Sequence, residues 1–198
     1  MLPKPSIVIV ATLFIMTTVG FLSPAQARTI SPDEQQRLVV SILSAHEFSP
    51  RKDLLDRTGP YVVKTLVGIA SDHRFRAVLR QRAVASLGLY PVLQTRKFLS
   101  SMLFEKGFVG TVSGMLMRRE AMKSLAIGFR GSVVQEISLL RDDHEAQIRE
   151  GCAHALGMTG SKEAVPILEA WLPHEQELFV RVAIDHAYNT LIRKDVSR

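Results

Sequence analysis

The chain has 198 residues, of which 46% are hydrophobic and 22% charged, with a formal net charge of +6 at pH 7. That length suits a single domain able to bury a core. Cys152 is the only cysteine, which excludes an intrachain disulfide, a C-x-x-C redox pair and zinc sites built on paired cysteines, so stability must come from packing.

At the amino end, Lys4 precedes an uncharged run from Ile7 to Leu22, followed by Pro24-Ala25-Gln26-Ala27. This is the pattern of a secretory signal peptide over 1–27, with Ala25 and Ala27 supplying the small side chains a signal peptidase needs before a cut at Arg28. The competing reading is an uncleaved anchor. The run falls short of the roughly 20 residues that span a bilayer, and Gly20 and Pro24 weaken it as a helix. The expected location is therefore outside the cytoplasm, in the periplasm, with secretion or membrane anchoring through the leader as alternatives. Lys4 is the leader's one basic residue and it has no acidic one, so the remaining 28–198 carries a net charge of +5. Its charges alternate in sign along the expected helices, and nucleic acid is not an expected partner.

Residues 31–70 read as an amino-terminal cap hairpin. Ser31-Pro32-Asp33-Glu34 is a helix start, and Gly59-Pro60 introduces the apolar segment Tyr61 to Ala70. Four segments then superpose, beginning at Leu79, Met117, Ile148 and Val180, each opening on an apolar residue followed by Arg80, Arg118, Arg149 or Arg181. Three residues beyond the arginine stand Ala83, Ala121, Cys152 and Ile184; six beyond stand Ser86, Ser124, Ala155 and Ala187; seven beyond stand Leu87, Leu125, Leu156 and Tyr188. Offsets of three, six and seven put these side chains on one face of an α-helix. The arginines are 38, 31 and 32 residues apart, which argues for repeated units over about 73–104, 112–141, 144–172 and 174–193. A shorter second helix follows each first one, marked by Val134 and Ile137, by Val165 and Leu168, and less regularly by Arg96 and Leu99. Gly157 to Gly160 with Ser161, and Gly131 with Ser132, are the expected turns between paired helices.

These segments resemble the HEAT-like repeats, especially the short variety associated with phycobilisome lyases. The stretch IREGCAHALGMTGSKEAVPILEAWL from Ile148 to Leu172 carries most of the likeness. The resemblance implies an all-α fold, an α-α superhelix of about four to five stacked helical hairpins, used for protein binding; it does not by itself imply an activity, because lyase subunits, adaptors and scaffolds share these repeats. It also implies a structural arginine ladder, Arg80, Arg118, Arg149 and Arg181, each reaching an acidic group or a carbonyl of the neighbouring repeat. Asp142 and Asp143 are the expected partners of Arg149.

Residues that could carry chemistry are few. His154 and His186 share one repeat position with Ala85 and Lys123, which argues that it faces water. They are weak metal candidates without a third ligand at ligand spacing, and no metal or cofactor is expected. There is no G-x-S-x-G elbow, phosphate loop or H-E-x-x-H, and no catalytic residue is assigned. Cys152 falls where the other repeats hold Ala83, Ala121 and Ile184, as a buried small residue would. The candidate contacts for a partner are Trp171, Glu169, Gln135 and Lys97 on the second helices, with Phe108 in the long loop. Trp171 has a competing reading as a ring closing the groove between the last two repeats. Phe104, Phe108, Val109 and Met115 pose the same choice between core plug and docking knob. The expected function is an exported scaffold or adaptor binding a protein in a bacterial envelope assembly. The alternative is a small-molecule or cofactor-handling protein, lyase-like, built on the same repeats.

Overall fold

The computed structural model describes residues 30–196, and side chains to 193. The expected leader and its cleavage residues, Ala25 and Ala27, lie outside the described residues. Every regular element described is helical. The α-helices are α1 (Pro32–Leu43), α2 (Lys52–Asp56), α3 (Val62–Ser71), α4 (Ala77–Leu87), α5 (Leu93–Phe104), α6 (Val112–Phe129), α7 (Val134–Ser138), α8 (Ala146–Thr159), α9 (Val165–Trp171) and α10 (Leu178–Val196), joined in places by 3-10 turns. Among the described residues, no helix is long and apolar enough to cross a membrane.

The amino-terminal segment contains one more helix than a hairpin. α1 starts as its sequence indicates, with the Ser31 hydroxyl accepting from the Glu34 amide at 3.1 Å and Pro32 in the first turn. The additional α2 is held by Leu55, 1% exposed, while Lys52 and Asp56 pair across one turn at 2.6 Å. Gln35 fastens α1 to the turn after α2: fully buried, it accepts from the Tyr61 amide at 3.2 Å and donates to the Thr58 hydroxyl at 3.5 Å. Gly59 sits there at φ 136, and a Cβ on it would meet Gln35 Oε1 at 2.8 Å.

Beyond this segment, α4, α6, α8 and α10 pack side by side in chain order, with α5 against α6, α7 against α8 and α9 against α10. The residues at the shared repeat positions make these seams. Ala83, Ala121, Cys152 and Ile184 are all 0% exposed, as are Leu87, Leu125 and Leu156. Small residues set how closely the helices approach. Ser124 donates to the Val84 carbonyl at 3.0 Å across the α4–α6 seam, and a Cβ on Gly128 would lie 2.8 Å from the Gly88 carbonyl oxygen. At the α8–α10 seam, a Cβ on Gly157 would stand 3.0 Å from that of Ala187. Gly128→Ala should therefore destabilise by about 1–3 kcal/mol, although alanine is intrinsically the better helix former by about 1 kcal/mol. The obstructing atom is backbone and cannot rotate away; chemical denaturation of the pair of proteins measures the difference.

The turns match the sequence reading unevenly. After α8, Gly160 takes the left-handed conformation at φ 64, and Ser161 Oγ accepts from the Glu163 amide at 3.3 Å. After α6 the expected roles of Gly131 and Ser132 are not found. The positive φ of 50 falls on Arg130, and Ser132 Oγ donates to the Phe129 carbonyl at 2.8 Å. Gly131 serves packing, since a Cβ there would sit 3.0 Å from Ser161 Oγ of the next turn.

The last first helix, α10, departs from the repeated pattern at two positions. Reading along the chain, the position four after the arginine holds Val84, Met122 and Ala153, all 0% exposed, and then Asp185, which is exposed. Eight after it stand the buried Gly88, Ala126 and Gly157, and then the partly exposed Asn189. α10 thus presents polar side chains where each earlier first helix receives its neighbour.

Candidate functional site

The arginines organise the edge where one helix pair meets the next. Arg80 is 7% exposed and donates Nε to the Ala70 carbonyl at 3.0 Å; Arg118 is 2% exposed and donates Nε to the Leu103 carbonyl at 3.0 Å. Each thereby uses a carbonyl at the end of the preceding helix that no helical amide can reach. Arg118 also donates to the Asp143 carboxylate. Arg149 holds Glu175 in a two-pronged pair, Nε and Nη2 each 2.8 Å from a carboxylate oxygen, and reaches the Asp143 backbone carbonyl at 2.9 Å.

Two expectations about this row need correction. The acid paired with Arg149 is Glu175, not the side chain of Asp142 or Asp143, because the carboxylate comes from the segment leading into the next first helix. Asp143 belongs to Arg118 by the same rule. The ladder also stops at three rungs: Arg181 is exposed, and its guanidinium has no hydrogen bond or ion pair among the described residues.

Glu175 is 6% exposed, and Oε1 accepts from the Gln176 and Glu177 amides at 3.0 Å each, just ahead of α10. Arg149, aided by those amides and against the cost of burial, holds its carboxyl down at about 2. A depressed carboxyl contributes stability above its unfolded pKa of about 4.3, and the contribution fades as pH falls toward the folded value. Melting temperatures of the wild type and Glu175→Gln should therefore differ near neutrality and converge between about pH 4.5 and 2.

The residues considered for chemistry or binding fall into three groups. Cys152 is fully buried, its thiol directed to the Ile137 carbonyl at 3.2 Å, and burial pushes its pKa up, so the unreactive thiol predominates. Trp171 is 6% exposed and packs in the core, while its neighbour Leu172 is only partly buried. The helix gives way at Leu172 to a 3-10 turn containing Pro173, which leaves Trp171 inward and Leu172 partly open. Phe108 and Met115 are partly buried against the core, whereas Phe104 and Val109 are 49% and 39% exposed. The loop carrying Phe108 lies so close to α6 that a Cβ on Gly114 would fall 2.1 Å from the Phe108 carbonyl oxygen.

Lys97, Gln135 and Glu169 are exposed, one on each second helix, and Glu169 accepts from the Tyr188 hydroxyl at 2.8 Å. His154 and His186 line one groove between α8 and α10 together with Glu150, Leu178, Phe179, Val182 and Ala183, a space of about 790 Å³. Glu150 is paired with Arg119 at 2.9 Å and lies 3.8 Å from His154 Nε2. Among the described residues, no group of three His, Cys, Asp or Glu is arranged to hold a metal ion. A second groove of about 890 Å³ opens between the start of α1 and α3, lined by Ile30, Pro32, Asp33, Tyr61, Lys64 and Gly68 among others.

The α8–α10 groove is the site sequence reasoning reached only in part. The two histidines were recognisable from their common repeat position. The apolar floor was not, because Phe179 and Val182 alternate along α10 with the core residues Val180 and Ala183, 0% and 3% exposed, and nothing local in the sequence separates the two sets. No protein-family model and no curated protein matches the chain.

Proposed function

We propose that the chain is an exported binding scaffold, a short HEAT-like array in which successive helix pairs stack as a solenoid and hold a protein partner. The observation that carries this reading is the repetition of one seam. Ala83, Ala121 and Cys152 are buried at the same offset from Arg80, Arg118 and Arg149, and each of these arginines reaches a carbonyl at the preceding edge. Such an array is stabilised between neighbours, and its outer positions remain available for recognition. The uncharged run from Ile7 to Leu22 ahead of Ala25 and Ala27 supports export.

Two measurements test the proposal. Expression of the full chain in a bacterial host should yield an extracytoplasmic form whose amino-terminal residue is Arg28; a cytoplasmic product that retains Met1 overturns export. Cross-linking of that processed form in its native envelope, followed by purification, should return a defined protein at fixed stoichiometry. A chain that stays unlinked under those conditions overturns the scaffold reading.

A further inference from the structure

Helix α10 repeats the face through which each earlier first helix meets the next, and among the described residues that face is uncovered. It comprises the positions one, four and eight after the arginine. From α6 it reaches α8, since a Cβ on Gly151 would meet Arg119 Cγ at 3.1 Å and Met122 Cε at 3.0 Å; from α8 it reaches α10, since a Cβ on Gly157 would stand 3.0 Å from that of Ala187. On α10 the same positions hold Val182, Asp185 and Asn189. With Leu178 and Ile192 they recur at intervals of four, three, four and three residues, the spacing of a seam between two paired helices. Leu178, Val182 and Ile192 are 74%, 61% and 40% exposed.

The polar members of this stripe limit what can cover it. At the eighth position Gly88, Ala126 and Gly157 let the next first helix come close, whereas Asn189 puts a larger side chain there. At the fourth position Val84, Met122 and Ala153 give way to Asp185, whose carboxylate needs a cation once it is covered. Arg181, one turn earlier on the same flank, carries a cation, and neither side chain has an ion pair among the described residues. Two helices that pair antiparallel about a two-fold axis bring equal flanks together. An axis between Arg181 and Asp185 therefore sets each guanidinium against the other copy's carboxylate, and Val182 meets its own counterpart. The stripe is its own complement, as a two-fold interface requires.

We propose that α10 pairs antiparallel with α10 of a second copy, with Leu178 and Val182 in the seam and two reciprocal ion pairs between Arg181 and Asp185 across it. This goes beyond the scaffold reading and does not rest on it. The arginine that drops out of the ladder finds its acid in the other copy. A single helix pair is a small interface, so the dimer is weak and depends on concentration.

The test is sedimentation of the purified chain, from Arg28 onward, over a wide range of concentration. The wild type should pass from monomer to dimer. Val182→Glu should weaken the dimer by about tenfold or more, with the melting temperature of the dilute monomer unchanged because the side chain is exposed. Arg181→Asp and Asp185→Arg should each weaken it by about tenfold or more, since like charges then meet across the axis. An equimolar mixture of those two variants should dimerise again, because one copy offers two acids and the other two cations. A wild type that stays monomeric throughout, a dimer indifferent to Val182→Glu, or charge variants that fail to pair when mixed overturns the proposal. The scaffold reading is judged separately, by whether a second protein cross-links to the chain in the envelope, so either can fail alone.

Discussion

Asp143→Ala is expected to lower the free energy of unfolding by about 3–5 kcal/mol, the cost of leaving a buried charge without its counterion. Arg118 is 2% exposed, and its Nη1 already has no hydrogen-bond partner among the described residues. Among the described residues the Asp143 carboxylate is its only ionic partner, and 10% of that side chain is exposed. The substitution would also remove the Oδ1 acceptor of the Glu145 amide, 2.9 Å away at the start of α8. Urea titration of the variant measures the loss. The double change Arg118→Met with Asp143→Ala should recover much of it, because an apolar side chain of similar length asks nothing of the site electrostatically. A single variant within about 1 kcal/mol of wild type, the range of an exposed pair, would show that this ion pair is not a buried link between units.

Leu156→Ala is expected to cost about 2–5 kcal/mol. Leu156 is 0% exposed on α8, whose neighbours on either side are α6 and α10. The cavity would therefore open inside the stack and not at its end. His154→Ala, two residues away on the same helix, should change stability little, because His154 is partly exposed. Thermal melts of the two variants decide the matter; a larger loss in His154→Ala would mean that the inner and outer faces of α8 are assigned the wrong way round.

Both effects come from features that were unequally visible in the sequence. The seam could be read because a helix repeats every 3.6 residues: Leu87, Leu125 and Leu156 recur at one offset from an arginine, and a buried stripe obliges such recurrence. The acid that answers Arg149 could not be read the same way. Glu175 lies 26 residues downstream, and nothing local separates it from the nearer Asp142 and Asp143. Local chemistry also misplaced the turn after α6. Gly131 is the residue best suited to a positive φ, yet the backbone assigns that conformation to Arg130, and Gly131 instead lies beside Ser161.

Helix α10 shows the same division. Asp185 and Asn189 are ordinary helix-surface residues when read alone. Only superposition on Ala153 and Gly157, buried by the packing of α10 on α8, shows that they fall at positions an earlier first helix has covered.

What the sequence by itself determined is the helical class, the register of the repeated core residues and the burial of Cys152. Each follows from side chains spaced to share one helix face, which is information local in the chain. What only the tertiary structure decided is which carboxylate meets which arginine, whether Trp171 or Leu172 turns inward, and that Leu178, Phe179 and Val182 share a groove with His154 and His186. Those outcomes depend on the approach of helices far apart in the chain, where a few ångströms set by Gly128, Gly157 and Ala187 select among partners that are equivalent in the sequence.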